Sequence, residues 1–382
     1  MIPNQAHLFD IPDDVTYLNC AYFSPLMQPV REAGMVGINR KAHPWQIYAN
    51  HFFDESEEAR ALFAQLISAT PDDVALIPAV SYGVAVAARN IPLQAGDEII
   101  VLGEQFPSNY YTWQEAASQK DARVVTVERH GPGGWTEAVL QHMTDRTAVV
   151  TLPHVHWTDG SVIHLQPIAQ ACRKHGAELV LDLTQSLGAY PFSLQDLDAA
   201  FVMCAGYKWL LGPYSTAFMY VNPRYHDARP LEYNWLNRKD SENFAGLVQY
   251  NPDFQPGARR FDVGERSNFA LLPMVVAALR QILDWGVEEI NRTLSEMTNK
   301  LAAQAEEIGL TVAPPRERSG HLIGLRFPGE LPADIAKRLA QENVFVSIRG
   351  KAIRVAPHVY NSARHVEKLI RVLREAGVPD KT

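Results

Sequence analysis

Two side-chain types that do chemistry together, a carboxylate and an amine, stand at matched places in this sequence. Asp182 closes the apolar run Leu179-Val-Leu-Asp182. Lys208 follows 26 residues later, in Gly206-Tyr207-Lys208-Trp209, just past the next apolar run, Ala199–Cys204. If the two runs are strands of one open α/β sheet, both side chains reach the crevice at the strands' carboxyl ends, where such sheets bind ligands. An amine there forms an imine with an aldehyde. A carboxylate keeps a pyridine nitrogen protonated, so that the ring accepts electrons from a substrate carbon. The pair fits a pyridoxal phosphate (PLP) site. Taken singly, each residue reads more readily as a loop-capping aspartate or a surface lysine, so the reading rests on the set around them.

Other chemistries lack their residues. There is no G-x-G-x-x-G after a strand, no G-x-x-x-x-G-K-[ST] and no H-E-x-x-H. Ala79-Val-Ser81-Tyr-Gly83 is half of a G-x-S-x-G elbow without its first glycine. Cys20, Cys172 and Cys204 are too scattered for a zinc site and too few for a disulfide framework.

The elements that must position the pair follow from hydrophobic period. Val74–Ile77, Ile99–Leu102, Val124–Val127, Ala148–Leu152, Leu179–Leu183 and Ala199–Cys204 read as strands, several apolar throughout as in sheets covered on both faces. Helical patterns lie between them, at Thr112–Ser118 and Leu165–His175. Another, Asp54–Ser68, begins with a capping-box spacing, Asp54 to Glu57. This alternation predicts a mainly parallel sheet from about Val74 to Val221. Residues 222–256 read as a long irregular connection, and Leu271–Trp285 and Glu288–Ile308 as long helices. His321–Phe327, Leu331–Gln341, Val344–Ile348, Ala352–Val355 and Ala363–Ala376 then read strand, helix, strand, strand, helix, a smaller α+β domain. The expected division is an N-terminal segment 1–20 packing on the small domain, a large domain 21–260 and a small domain 261–382.

At this point the motifs resemble those of the class V aminotransferase family of fold-type-I PLP enzymes, which also contains cysteine desulfurases, kynureninases and isopenicillin-N-epimerase-like proteins. Tyr17-Leu-Asn-Cys-Ala21 is similar to the family's N-terminal segment, and Asp182-Leu-Thr-Gln185-Ser-Leu-Gly188 to its D-x-x-Q-x-x-G. Gly206-Tyr-Lys-Trp-Leu-Leu-Gly-Pro213 resembles its lysine motif, and Arg354-Val-Ala-Pro-His-Val-Tyr-Asn361 its C-terminal arginine motif. The resemblance implies the aspartate aminotransferase-like fold. It makes Lys208 the Schiff-base lysine and later the base that moves the substrate proton. Asp182 becomes the partner of the pyridinium nitrogen, and Gln185 a hydrogen-bond partner of the ring's phenolic oxygen. Ser81 and the amide of Tyr82 would bind the phosphate at a helix N-terminus, with Tyr207 adding its hydroxyl. Phe106 would stack on the cofactor ring, where desulfurases use histidine. Ser267, in Gly264-Glu-Arg-Ser-Asn268, would reach the phosphate of a second subunit, which implies a homodimer. Arg354 would grip the substrate carboxylate, with Arg349 as its rival, while His358 and Tyr360 pack the motif. One departure stands out: Trp157 occupies the place where many members carry asparagine. His154 and His156 beside it read as acid–base groups or as structural hydrogen-bond partners.

The implied activity is a PLP-dependent enzyme acting on an α-amino acid, first an aminotransferase. Kynureninase-like or other C–C or C–X lyase chemistry and epimerisation are the alternatives. A PLP-fold protein that binds a partner without catalysis would be expected to lack Lys208 or Asp182. Cysteine desulfuration is disfavoured, because residues 341–357 contain no cysteine nucleophile. Composition agrees. With 35 Lys plus Arg against 43 Asp plus Glu, the net charge of −8 disfavours nucleic acid. No run is apolar and long enough to span a membrane, and the first residues lack the charged and apolar regions of a secretory signal, so the expected location is the cytoplasm. The expected partners are amino acid and keto acid substrates.

Overall fold

The computed structural model describes residues 1–129 and 134–376. In chain order the large part comprises β1 (Thr16–Tyr17), α1 (Gln28–Ala42), α2 (Asp54–Ile67), β2 (Val74–Ile77), α3 (Val80–Asn90), β3 (Glu98–Leu102) and α4 (Pro107–Ser118). It continues with β4 (Arg123–Val127), α5 (Trp135–His142), β5 (Thr147–Pro153), α6 (Leu165–His175), β6 (Glu178–Asp182), β7 (Phe201–Ala205) and β8 (Ala217–Val221). The C-terminal part holds α7 (Leu271–Trp285), α8 (Val287–Glu307), β9 (Ile323–Arg326), α9 (Ile335–Gln341), β10 (Val344–Phe345), β11 (Ser347–Arg349), β12 (Ala352–Val355) and α10 (Ala363–Glu375).

Seven strands form one sheet in the order β2-β8-β7-β6-β5-β3-β4, all running the same way except β8. Strand side chains alternate between faces, and the core divides accordingly. Ile100 and Leu102 of β3, with Val202 and Cys204 of β7, pack on one face under α2, α5, α6 and α7. Ile99, Val101, Phe201 and Met203 pack on the other, with Val84 of α3 and Trp113 of α4. Both faces are covered, which is why these strands are apolar throughout. A third core, with Leu301, Ile323, Leu325, Ile353, Val355 and Leu369, belongs to the small domain, where β9, β12 and β11 form an antiparallel sheet. Leu18 joins that core and β1 pairs with β10. α7 packs along α1 and α2. α8 bridges the two parts, with Ile290 and Leu294 in the first core and Leu301 and Ala305 in the third. No helix among the described residues is long and apolar enough to cross a membrane.

Four local expectations are corrected. Asp54 is not a cap: Phe53 holds that position without a side-chain bond, and Asp54, Glu55 and Glu57 sit in the first turn, where acidic charge favours the positive end of the helix. The strand before Lys208 starts at Phe201 rather than Ala199, because Asp196 and Asp198 adopt positive φ in the preceding turn. β8, which returns antiparallel between β7 and β2, was not anticipated. Residues 344–348 are two strands on different partners: β10 pairs with β1, and β11 with β12.

Candidate active site

The carboxyl ends of β2, β3, β5, β6 and β7 open into a cavity of about 260 Å³. Asp182 ends β6 and lies level with Met203 of β7. Three residues past the end of β7, Lys208 turns back into the same cavity. The Asp182–Gly188 turn lies so close to the lysine loop that a Cβ at Gly188, where φ is +97°, would meet the carbonyl oxygen of Trp209 at 2.3 Å. Only glycine fits there.

Lys208 is 7% exposed. Burial, reinforced by the charge of Arg354, pushes its ammonium down to about 8, with Asp182 opposing. At that value roughly a tenth of the amine is neutral at pH 7. Asp182 is half-buried and lines the cavity. Burial raises its carboxyl, against the hydrogen bonds of Thr184 and the charge of Lys208. The Thr184 amide donates to Asp182 Oδ1 at 2.9 Å, an Asx turn, and the Thr184 hydroxyl accepts from the amide of Ala205 at 3.1 Å, tying β6 to β7. No salt bridge joins Asp182 to Lys208 among the described residues, although both line the cavity. Opposite charges in a desolvated pocket stay apart only where their side chains are held apart. The space between them suits a flat ring with a nitrogen at one end and an electrophilic carbon at the other.

Gln185 adds a fixed donor. The indole N–H of Trp209, which can only donate, points at Gln185 Oε1 at 3.0 Å, and Gln185 Nε2 donates to the carbonyl of Ala21 at 3.0 Å. The amide cannot flip, and its second N–H remains at the cavity wall. Phe106, the residue just before α4, is 40% exposed and no core residue. Its ring centroid is 5.6 Å from Lys208 Nζ, and Trp157 meets it edge-on at 5.6 Å and 88°. Tyr207 also lines the cavity, with burial and the neighbouring Tyr214 pushing its hydroxyl up to about 12.

At the far end of the cavity α3 begins. Val80 and Ser81 line the wall, and their amides precede the first intrahelical bonds. The expected Tyr82 amide is committed instead, donating to the carbonyl of Ala79 at 3.1 Å, and the Tyr82 side chain lies outside the cavity lining. Ser215 and Thr216, at the turn into β8, complete this end together with Ser108. Sequence reasoning missed these three residues and Thr184. Only Thr184, two positions after the aspartate, carried a readable sign. Ser267 is buried and does not reach this cavity. Its loop borders a smaller neighbouring cavity that shares Pro78, Ser215 and Thr216, and it is anchored where Asp262 accepts from the amide of Leu76 at 2.7 Å.

The two histidines turn away. Pro153, Val155 and Trp157 line the cavity while the histidines do not. Burial pushes His154 down to about 3, against Tyr190 and Phe192. His156 stacks on Trp135 and bonds the hydroxyl of Thr158 and the carbonyl of Gly103. Both are neutral structural groups. Arg354 is 1% exposed and lies one layer behind the wall. Its Nη1 donates to the carbonyl of Trp157 at 2.8 Å, and burial and Arg349 push it down to about 9, still charged at neutral pH. Cys20, Cys172 and Cys204 are all buried outside the cavity lining, their thiols raised by burial. Among the described residues no cluster of ligands could hold a metal ion.

Comparison with known proteins agrees with this geometry. The sequence model of the aminotransferase class-V family matches residues 38–372. An uncharacterised aminotransferase of Bacillus subtilis (strain 168), YcbU, is 27% identical over 83% of this chain and 82% of its own. A kynureninase of Geobacillus thermodenitrificans (strain NG80-2) is 23% identical over 92% of this chain and 83% of its own. Among solved structures, a C-DES mutant with glycine covalently linked to its PLP cofactor superposes with a TM-score of 0.87 at 18% identity, covering 98% of this chain and all of that one. The likeness of structure shows the fold, and the match over nearly the whole chain shows the lineage: this protein belongs to the class V aminotransferase family.

Proposed function

We propose that the protein is a PLP-dependent transaminase of an α-amino acid. The observation that carries this reading is the unpaired Asp182 and Lys208 on one cavity wall, with the amine held down to about 8 by burial. Asp182 would hold the ring nitrogen, Gln185 the phenolic oxygen, and Ser81 with the free amides of α3 the phosphate. When bound, the cofactor supplies an electrophilic carbon and a ring that takes up electrons from the substrate's α-carbon. The chain's own part is to position and to move protons. Among the described residues that line the cavity, Lys208 is the one primary amine. It would take the α-proton and return it, and the atom to which it returns the proton separates transamination from the alternatives. Phe106 and Trp157 exclude water from one side. Arg354 supplies the charge for the substrate carboxylate.

Ser267 does not reach its own cavity, and Met35, Val36 and Ile38 of α1 lie exposed. Both facts support a homodimer in which Ser267 serves the partner's site. A second reading, hydrolytic cleavage of the kynureninase kind, is favoured by the relatives of that name and by Phe106-Pro107 and Tyr207-Lys208 at the cavity, which resemble the Phe-Pro segment and the tyrosine before the lysine of kynureninase-like members. A screen of amino acids against the PLP-loaded protein separates the two. Release of the keto acid of one amino acid, with loss of the cofactor's visible absorbance band, supports transamination. Release of alanine from kynurenine supports the second reading. No spectral change with any amino acid would sink both.

A further inference from the structure

Arg349 and Arg354 are held at the cavity wall yet shut off from the cavity. β11 and β12 pair with Ser347 opposite Arg354 and Arg349 opposite Ala352, so both arginines project from the same face as diagonal neighbours. Arg354 donates to the carbonyl of Trp157 at 2.8 Å and to the hydroxyl of Ser347 at 3.3 Å. The guanidinium carbon of Arg349 lies 5.5 Å from the Trp157 ring centroid, and its Nη1 donates to the carbonyl of Ile348 at 2.8 Å. The Nε atoms of both are buried without a partner. Neither arginine forms an ion pair among the described residues. Glu104, whose carboxylate lies beside the hairpin tip at Gly350, is paired with neither.

Arg354 is buried and Arg349 half-buried, and a guanidinium buried without a counter-ion beside a second one is costly; their charges push Lys208 down as well. An anion would relieve this. Trp157 lines the cavity while they do not, and it lies against both, its ring against Arg349 and its carbonyl against Arg354. The indole is held in place by its N–H donating to the carbonyl of Glu104 at 2.7 Å and by its edge-on contact with Phe106.

We propose that Trp157 is a specificity-determining residue, whose indole screens from the cavity both Arg354, already read as the carboxylate partner, and the second guanidinium beside it, Arg349. The identity of the anion rests on the transaminase reading; the site and its screen do not. An incoming carboxylate reaches the arginines by displacing the indole from Glu104 and Phe106. A substrate with enough contacts elsewhere in the cavity does so, and a bare small anion does not.

The test is sulfate binding by titration calorimetry on the cofactor-free protein. The phosphate end of the cavity contributes equally to every variant, so differences report the arginines. Trp157→Ala is expected to bind sulfate at least tenfold more tightly than the wild type, and Trp157→Phe, which keeps a ring in place, within about threefold of it. Adding Arg349→Gln or Arg354→Gln to Trp157→Ala should remove the gain. Should Trp157→Ala fail to fold, Trp157→Leu carries the same comparison, with a gain of at least threefold. Equal sulfate affinity in the wild type and the opened variants overturns the screen, and a gain that survives both arginine substitutions overturns the site. A protein that shows the gain but never loads PLP overturns the transaminase reading alone.

Discussion

Lys208 is predicted to destabilise the protein that has not yet bound its cofactor, and replacing it should reveal by how much. In the folded chain its ammonium falls from 10.5 to about 8, chiefly through burial. At about 1.36 kcal/mol per pKa unit, this is about 3 kcal/mol against the charged form. A depressed lysine favours the fold only when neutral. The unfolded chain binds more protons between the two values, so stability rises with pH from about 8 to about 10.5. Below pH 8 the whole cost is present, and above 10.5 none of it. Lys208→Met keeps most of the aliphatic volume and removes the charge. The cofactor-free variant should therefore be more stable than wild type by about 2–3 kcal/mol at pH 7, the difference shrinking toward zero by pH 10.5. Urea unfolding followed by tryptophan fluorescence at pH 7, 8.5 and 10 measures it. A difference independent of pH, or a variant less stable at pH 7, would refute the view that this amine is buried as a cation without its partner. A site that destabilises the empty fold is the expected trade of stability for function, and loading PLP should reverse the ranking by stabilising only the wild type.

Asp182→Asn should cost at least about a hundredfold in turnover, as losing a preorganised charge at the reacting group does, while Asp182→Glu keeps part of it; initial rates on the amino acid found in the screen decide. Replacing all three cysteines, each by alanine, should leave turnover within about threefold, since none lines the cavity; abolition would restore a thiol mechanism. His156→Gln should leave the pH–rate profile unshifted while lowering the unfolding temperature, because the ring bonds Thr158 and Gly103 and faces away from the site. Light scattering should give twice the chain mass, and Ile38→Asp on the exposed face of α1 should lower it.

How much of this was legible depended on whether a residue's place follows from its own strand or from a distant one. Asp182 and Lys208 could be placed because each ends a run apolar enough to be a doubly covered strand, and the ends of parallel strands share one edge. β8 could not be placed: Ala217–Val221 is as apolar as its neighbours, and its reversed direction depends on the short return after Lys208. Residues 344–348 could not be split, because the division comes from β1, more than three hundred residues earlier. Ser267 illustrates the hardest case, a side chain whose proposed target lies on another copy of the chain.

The segment from Pro153 to Trp157 shows how one missing fact hides several others. β5 ends at Pro153, and residues 154–157 run on as a bend, an isolated bridge at Val155 and a turn, so no strand period fixes which way their side chains face. What the sequence does not carry is which way. The structure supplies it: Pro153 pairs beside Asp182, and Pro153, Val155 and Trp157 line the cavity while the histidines do not. Once it is known, the histidines cease to be acid–base candidates. Trp157 becomes the residue between the cavity and the arginines, and the asparagine-to-tryptophan departure acquires a physical consequence. The facing of this one segment thus bears on the roles of three residues, and sulfate binding to the Trp157 variants tests it for one of them.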